Sequence, residues 1–165
     1  FLADGDGRNS GWLASRGVAV TAVDFSQVAV DQALGHDQHA GVSVERVASD
    51  ILKWPDLQCR TWEAVFLVFL QSSSPVRREA ARLAGAATAS NGWLVIEGFS
   101  KEQANIPDMG PNDGTKLWSL RELVDWLPDL RLIEASAGQM SLEDGPRHRG
   151  LAHVLRYAAR REPDL

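Results

Sequence analysis

Apolar runs alternate along this chain with stretches at helical spacing. Phe1-Leu2 reads as the end of a strand, and Arg8 to Gly17 as a helix closed by its glycine. Val18 to Val23 is a β-branched run of the kind a buried parallel strand needs. Ser26 to Leu34 returns to helical spacing with Ser26 as N-cap, and Val42 to Val47 is a further strand ending before Ser49-Asp50. Ala64 to Leu70 is the most apolar run and predicts a central strand. Pro75 to Ala87 predicts a helix with proline in its first turn, Asn91-Gly92 a turn, and Trp93 to Glu97 a strand.

Beyond residue 99 the organisation changes. Ser100 to Lys116 is a polar loop with Pro and Gly, long enough to predict a functional lid. Ser119 and Glu122 form a capping-box pattern before a short helix to Leu127. Leu130 to Ala137 and Gly150 to Tyr157 predict two strands joined by a turn around Glu143-Asp144-Gly145. A βαβα beginning with a hairpin at the end places the chain in the α/β class, with a mainly parallel sheet carrying one antiparallel strand.

Composition narrows the function classes. With 44% hydrophobic and 24% charged residues, the 165-residue chain suits one globular domain spanning 1–165. A net charge of −5 without a basic stripe argues against a large nucleic-acid surface. The single Cys59 excludes an internal disulfide and fits a reducing cytosol, so a cytoplasmic location is expected. No apolar run approaches the roughly 18 residues of a spanning helix, and no signal peptide opens the chain, so no membrane partner is expected. An apolar start followed at once by a glycine loop implies that the chain begins inside its first strand. His36, His39 and His153 lack metal-ligand spacing, and no metal is expected. Trp12 and Trp93 read as core, whereas Trp54, Trp62, Trp118 and Trp126 fit either core or lid.

The chemistry concentrates in three strand ends. Gly5 and Gly7, between a strand and a helix, let backbone approach a ligand without Cβ interference. Asp24 ends the next strand, where a carboxylate can accept ribose hydroxyls, and Asp50 ends the third, placed to meet an adenine amine. Phe25 and Ile51 follow the two acids and can sandwich the base. The dinucleotide fingerprint G-x-G-x-x-G fails at its third position, where Ser10 stands. Asp4 and Asp6 also oppose a pyrophosphate but tolerate a cationic sulfonium, which favours S-adenosylmethionine over NAD.

The stretch Leu2-Ala3-Asp4-Gly5-Asp6-Gly7-Arg8-Asn9-Ser10, with Trp12-Leu13-Ala14, resembles motif I of class I S-adenosylmethionine-dependent methyltransferases. It is similar in particular to the small TehB-like, tellurite-resistance-type group. Val20 to Ser26, Ala48-Ser49-Asp50, Trp93 to Ser100 with Gln103 and Gly110-Pro111, and His148-Arg149-Gly150 with Arg160-Arg161 extend the resemblance over essentially the whole chain.

The resemblance implies a Rossmann-like three-layer α/β/α sandwich. Its sheet would be mainly parallel and seven-stranded, with an antiparallel C-terminal hairpin strand. It implies that Ala3, Asp4, Gly5 and Gly7 cradle the methionine part with Arg8 near its carboxylate. Asp24 would take the ribose, Phe25 and Ile51 the base faces, and Ser49 and Asp50 the adenine side. Leu67 and Val68 would line the site. Ala3 departs from the usual first glycine, Gln71 stands where relatives often carry His, and the family's N-terminal helix and much of its first strand are absent here.

The expected reaction is in-line methyl transfer to a small-molecule acceptor by a monomer or homodimer. Pocket candidates are Glu97, Gln71, Gln103, His148 and Arg149, with Glu97 and His148 as the candidate catalytic groups. The rival readings are a non-catalytic domain that binds S-adenosylmethionine or S-adenosylhomocysteine, and an NAD-type oxidoreductase.

Overall fold

The computed structural model describes residues 1–106, 110–143 and 149–163. Helices α1 (Arg8–Ala14) and α2 (Gln27–Ala40) flank strand β1 (Thr21–Asp24), and β2 (Glu45–Ala48) follows. A short α3 (Asp56–Cys59), absent from the sequence reading, precedes β3 (Trp62–Val68). Then come α4 (Ser74–Ala86), β4 (Thr88–Phe99), α5 (Leu120–Trp126), β5 (Leu130–Glu143) and β6 (Arg149–Arg161).

β1 pairs in parallel with β2, β3 pairs in parallel with β4, and β6 runs antiparallel between β4 and β5. Leu2 joins the two groups through single parallel bridges to Val23 and Leu67. The order is therefore β2-β1-Leu2-β3-β4-β6-β5, a mixed α/β sheet with β6 alone reversed. Six strands are formed among the described residues rather than the expected seven, with Leu2 as an isolated bridging residue between the two groups.

Alternation on β4 explains the main core. Leu94 and Ile96 point one way into the core, joined by Val65 and Leu67 of β3 and by Leu155 and Tyr157 of β6. On α4 the buried Ala80, Ala81 and Ala84 recur at helical spacing, and their small side chains let the helix lie close on β3 and β4. α2 packs likewise on β1 and β2, presenting Val30, Ala33 and Asp37. Each fully buried leucine contributes about 1.5–3 kcal/mol by removal from water.

Several local expectations change. Asn91-Gly92 is not a turn between elements but lies within β4. There Trp62 pairs with Thr88 and Ala64 already with Trp93, so the intervening residues form an irregularity with Asn91 at φ 62°. Trp12 (59% exposed) and Trp93 (37% exposed) lie at the surface rather than in the core, covered in part by the guanidinium groups of Arg16 and Arg160. Ser119 stands at the N-cap of α5 without a side-chain cap bond, and the Glu122 carboxylate, which a capping box would return to the Ser119 amide, is drawn instead to Lys101 and Arg77.

The predicted lid holds two short 3-10 turns, Lys101–Asn105 and Gly114–Lys116. Its ends are fastened: the Ser100 amide donates to His153 O at 3.0 Å and Trp118 N to Phe99 O at 2.8 Å. Trp118 is buried over Gly98, where an added Cβ would lie 2.5 Å from Cδ1 of its indole. No helix among the described residues is long and apolar enough to cross a membrane.

Candidate cofactor site

After Leu2 the backbone turns three times through the left-handed region, at Ala3 (φ 56°), Gly5 (φ 60°) and Gly7 (φ 80°). The turn survives the loss of the first glycine because Ala3 accepts a conformation costing an L-residue about 1–2 kcal/mol. At Gly5 an added Cβ would meet nothing within 4 Å, so its backbone faces open space. At Gly7 a Cβ would lie 2.5 Å from Arg46 Nη2 and 2.7 Å from Ala33 Cβ. The two glycines thus serve different needs, an open face at one and close packing at the other.

Asp24 ends β1, only 8% exposed, and both carboxylate oxygens are used. Oδ2 accepts the Gly5 amide at 2.8 Å and Oδ1 the Ser26 amide at 2.9 Å. The acid therefore holds the glycine turn against the entry of α2, which Ser26 caps through its bond from the Ala29 amide. Each oxygen keeps a further acceptor site. The Ser49 amide donates to Asp24 O at 2.9 Å, placing the end of β2 beside the end of β1. Asp50 follows, half-exposed, with Oδ1 accepting the Leu52 amide at 3.0 Å.

The sequence-predicted residues divide by burial. Phe25 is 82% exposed next to Asp24, an aromatic face held out beside the turn. Ile51 and Leu67 instead belong to the main core, and Leu67 has no exposed surface. Val68 is half-buried at the end of β3. Arg8 pairs with Asp6 at 3.0 Å on the surface of the turn.

Asp4 does not face the ligand side. Its carboxylate is buried, accepting from Arg46 Nη1 at 2.6 Å and from the Ser10 hydroxyl. The repulsion of a pyrophosphate expected from Asp4 and Asp6 is therefore muted, since each acid is paired with an arginine.

Burial pushes the Asp4 carboxyl above its usual range, opposed by the bonds from Ser10 and Arg46. The folded protein thus holds this proton more tightly than the unfolded chain. The resulting stabilisation is complete below the unfolded Asp value of about 3.9 and is lost as pH climbs through the raised folded value. Urea midpoints should show Asp4→Asn gaining on the parent across that window. Parallel pH profiles for the two proteins would contradict a raised Asp4.

Glu97 and Arg156 are cross-strand partners, and Arg156 Nε donates to Glu97 Oε2 at 2.6 Å. Glu97 is partly buried and Arg156 exposed, and the pair makes no hydrogen bond to the glycine turn, Asp24 or Asp50 among the described residues. Gln103 is fully buried, its Oε1 accepting the His153 amide at 2.6 Å, so it fastens the loop to β6. Gln71 is exposed after β3, and Arg149 is exposed at the start of β6. His148 lies outside the described residues. Cys59 is an exposed free thiol, and the described residues contain no cluster of three His, Cys, Asp or Glu able to hold a metal.

Sequence reasoning missed Arg46, Asp37 and Ser10. The signal was present: Asp37 shares a helix face with Val30 and Ala33, and an acid on a buried face needs a cationic partner. An apolar groove lined by Phe1, Leu13, Val20, Trp54, Trp62 and Phe66 opens at the amino ends of β1 and β3. It lies away from the glycine turn, which sits at the carboxyl end of Leu2.

Known structures share this fold. TehB from Haemophilus influenzae matches with a TM-score of 0.76 and 17% identity over 98% of this chain and 57% of its own. The N-methyltransferase NodS from Bradyrhizobium japonicum WM9 matches at 0.72 and 16% identity, over 99% of this chain and 84% of its own. Magnesium protoporphyrin IX methyltransferase from Synechocystis, solved with bound SAH, matches at 0.73 and 13% identity over 98% and 72%. At these identities the likeness is one of fold. No curated protein matches the sequence. A family model described as a methyltransferase domain matches residues 2–92, which hold the glycine turn, Asp24 and Asp50, and the chain therefore belongs to that methyltransferase family.

Proposed function

We propose that this chain binds S-adenosylmethionine over the glycine turn and the ends of β1 and β2, and methylates a small-molecule acceptor. The observation carrying this reading is the Asp24 carboxylate, bonded to the Gly5 amide at 2.8 Å beside the exposed Phe25. The residues fit the ligand: an open backbone at Gly5, an acid with acceptor capacity for two ribose hydroxyls, an aromatic face for a base, and Asp50 one strand over. In this assignment Ala3, Gly5, Gly7 and Arg8 hold the methionine part, with backbone at Asp4 contributing. Asp24 holds the ribose, Phe25 the base, Ser49 and Asp50 the adenine edge, and Val68 the far wall. Ile51 and Leu67 shape that wall from within the core.

The bound sulfonium supplies an electrophilic methyl group for in-line displacement. The protein's part is alignment and exclusion of water. A base is needed only for a protonated acceptor, and Glu97 and His148 remain the assigned candidates.

Residues 1–165 act as one domain in this reading, as a monomer or homodimer in the cytoplasm, without nucleic acid. In this reading the bridging Leu2 stands for the remaining strand of the seven-stranded, three-layer sheet that the TehB-like resemblance implies. Calorimetry with S-adenosylmethionine, S-adenosylhomocysteine and NAD tests the assignment. Binding of both sulfur compounds but not NAD is expected, and binding of neither overturns it.

A second reading, a non-catalytic S-adenosylmethionine-binding domain, is favoured by the engagement of Glu97 with Arg156 and of Gln103 with the His153 backbone. Methyl transfer to a panel of thiols, selenite, tellurite and small amines separates the two.

A further inference from the structure

Arg46 lies on β2, an edge strand, yet its side chain is only 3% exposed. Across the strand pair its neighbour is Ala22, whose small side chain leaves room for the guanidinium. Nε and Nη2 of Arg46 grip both oxygens of Asp37 on α2, at 2.8 and 2.9 Å. Nη1 reaches further, donating to Asp4 Oδ2 at 2.6 Å and to the Ser10 hydroxyl at 2.9 Å. One guanidinium thus ties together β2, α2, the glycine turn and the first helical turn after it. Gly7 lies directly against it, close enough that a Cβ could not be added without a shift.

A buried ion cluster of this kind is a poor device for stability alone. Apolar packing of equal volume commonly does as well, whereas removing one charged partner strands the other. What the cluster supplies is geometry: a planar fork with fixed donor directions, bidentate on one side and single on the other. Its single arm lands on Asp4 and Ser10, which bracket Gly5 and Gly7.

We infer that Arg46 is a positioning residue for the cofactor, setting the shape of the glycine turn from beneath. It touches no ligand and acts through Asp4 and Ser10. This rests on the binding mode proposed above, in which the turn holds the methionine half of the ligand and Asp24, Phe25 and Asp50 hold the nucleoside half. The consequence is selective. Loosening Arg46 weakens ligands that carry the aminocarboxypropyl group and spares those that lack it.

The test compares S-adenosylhomocysteine with methylthioadenosine on folded protein, below each variant's melting temperature. Arg46→Met should weaken the first about tenfold, the scale of one charge-assisted hydrogen bond, and the second by less than about threefold. Arg46→Lys should not restore affinity, because an ammonium cannot span Asp37 and Asp4 in the same fork. Parallel weakening of both ligands, or of neither, overturns the inference.

Should Arg46→Met not fold, Ser10→Ala removes one arm of the contact without stranding a charge. It must shift the same ratio in the same direction, or the inference fails. Amide exchange without ligand gives an independent readout: Arg46→Lys should speed exchange over residues 4–11 and leave β6 unchanged, and equal acceleration in both overturns it. If the parent protein binds neither ligand, the assignment of the cofactor fails, while the exchange result still decides the role of Arg46 in shaping the turn.

Discussion

Gly7→Ala is expected to destabilise the protein by about 2–5 kcal/mol, the sum of left-handed backbone strain and overpacking. The strain arises because Gly7 sits at φ 80°, where a Cβ crowds the following carbonyl. The overpacking arises because that Cβ would lie 2.5 Å from Arg46 Nη2 and 2.7 Å from Ala33 Cβ. Neither neighbour is free to leave, since Arg46 is fixed by Asp37 and Asp4, and Ala33 is buried on α2.

Gly5→Ala is the matched control. It has φ 60° but nothing within 4 Å of an added Cβ, so only the strain of about 1–2 kcal/mol remains. Urea unfolding of the two variants separates the terms, and equal losses would mean that the packing beneath Gly7 yields freely. Ligand affinity should order them the other way in one respect: the methyl of Gly5→Ala projects from the open side of the turn, so it should impair binding more than its small stability loss suggests.

Asp24→Ala is expected to weaken S-adenosylmethionine binding about 10- to 100-fold, equivalent to roughly 1.4–2.8 kcal/mol and the range of one or two charge-assisted hydrogen bonds. Two effects combine. The ligand loses its acceptor for the ribose hydroxyls, and the amides of Gly5 and Ser26 lose the carboxylate that now receives them. Asp24→Asn separates the two. Its amide oxygen accepts one of those backbone donors, but its NH2 group faces the other as a donor, so the turn is partly kept while ribose recognition weakens. Unchanged affinity in folded Asp24→Ala would reduce this acid to a clasp between the turn and α2.

Much of the fold is legible in the one-dimensional pattern because strands and helices have different periods. The apolar run from Ala64 to Leu70 appears as β3, shifted to Trp62–Val68 because Phe69 turns out of the strand at φ 53°, and the helix with proline in its first turn as α4. Ser26 caps α2 as its position after Asp24 predicts. The glycine spacing also gives its turn, since positive φ at Gly5 and Gly7 is a local requirement that only the residue type has to meet. The family follows from the same segment, residues 2–92.

Where pairing at long range decides, the pattern is silent. β4 begins at Thr88 rather than Trp93 because a partner strand absorbs Asn91-Gly92 as an irregularity, and nothing local distinguishes this from a turn. Trp12 and Trp93 are outward because their positions fall on the uncovered side of a helix and a strand, under arginines. The capping box at Ser119 lacks its Glu122 arm, which is claimed by Lys101 and Arg77, far away in sequence.

The site divides along the same line. Residue types and spacing determined that a glycine turn and two acids stand at successive strand ends, which is enough to name a class of ligand. Only the tertiary structure decided which way each acid faces. Asp4 turns inward to Arg46 across 42 positions and Asp24 clasps the Gly5 amide across 19, because a buried carboxylate must take whichever donor the packed chain brings to it.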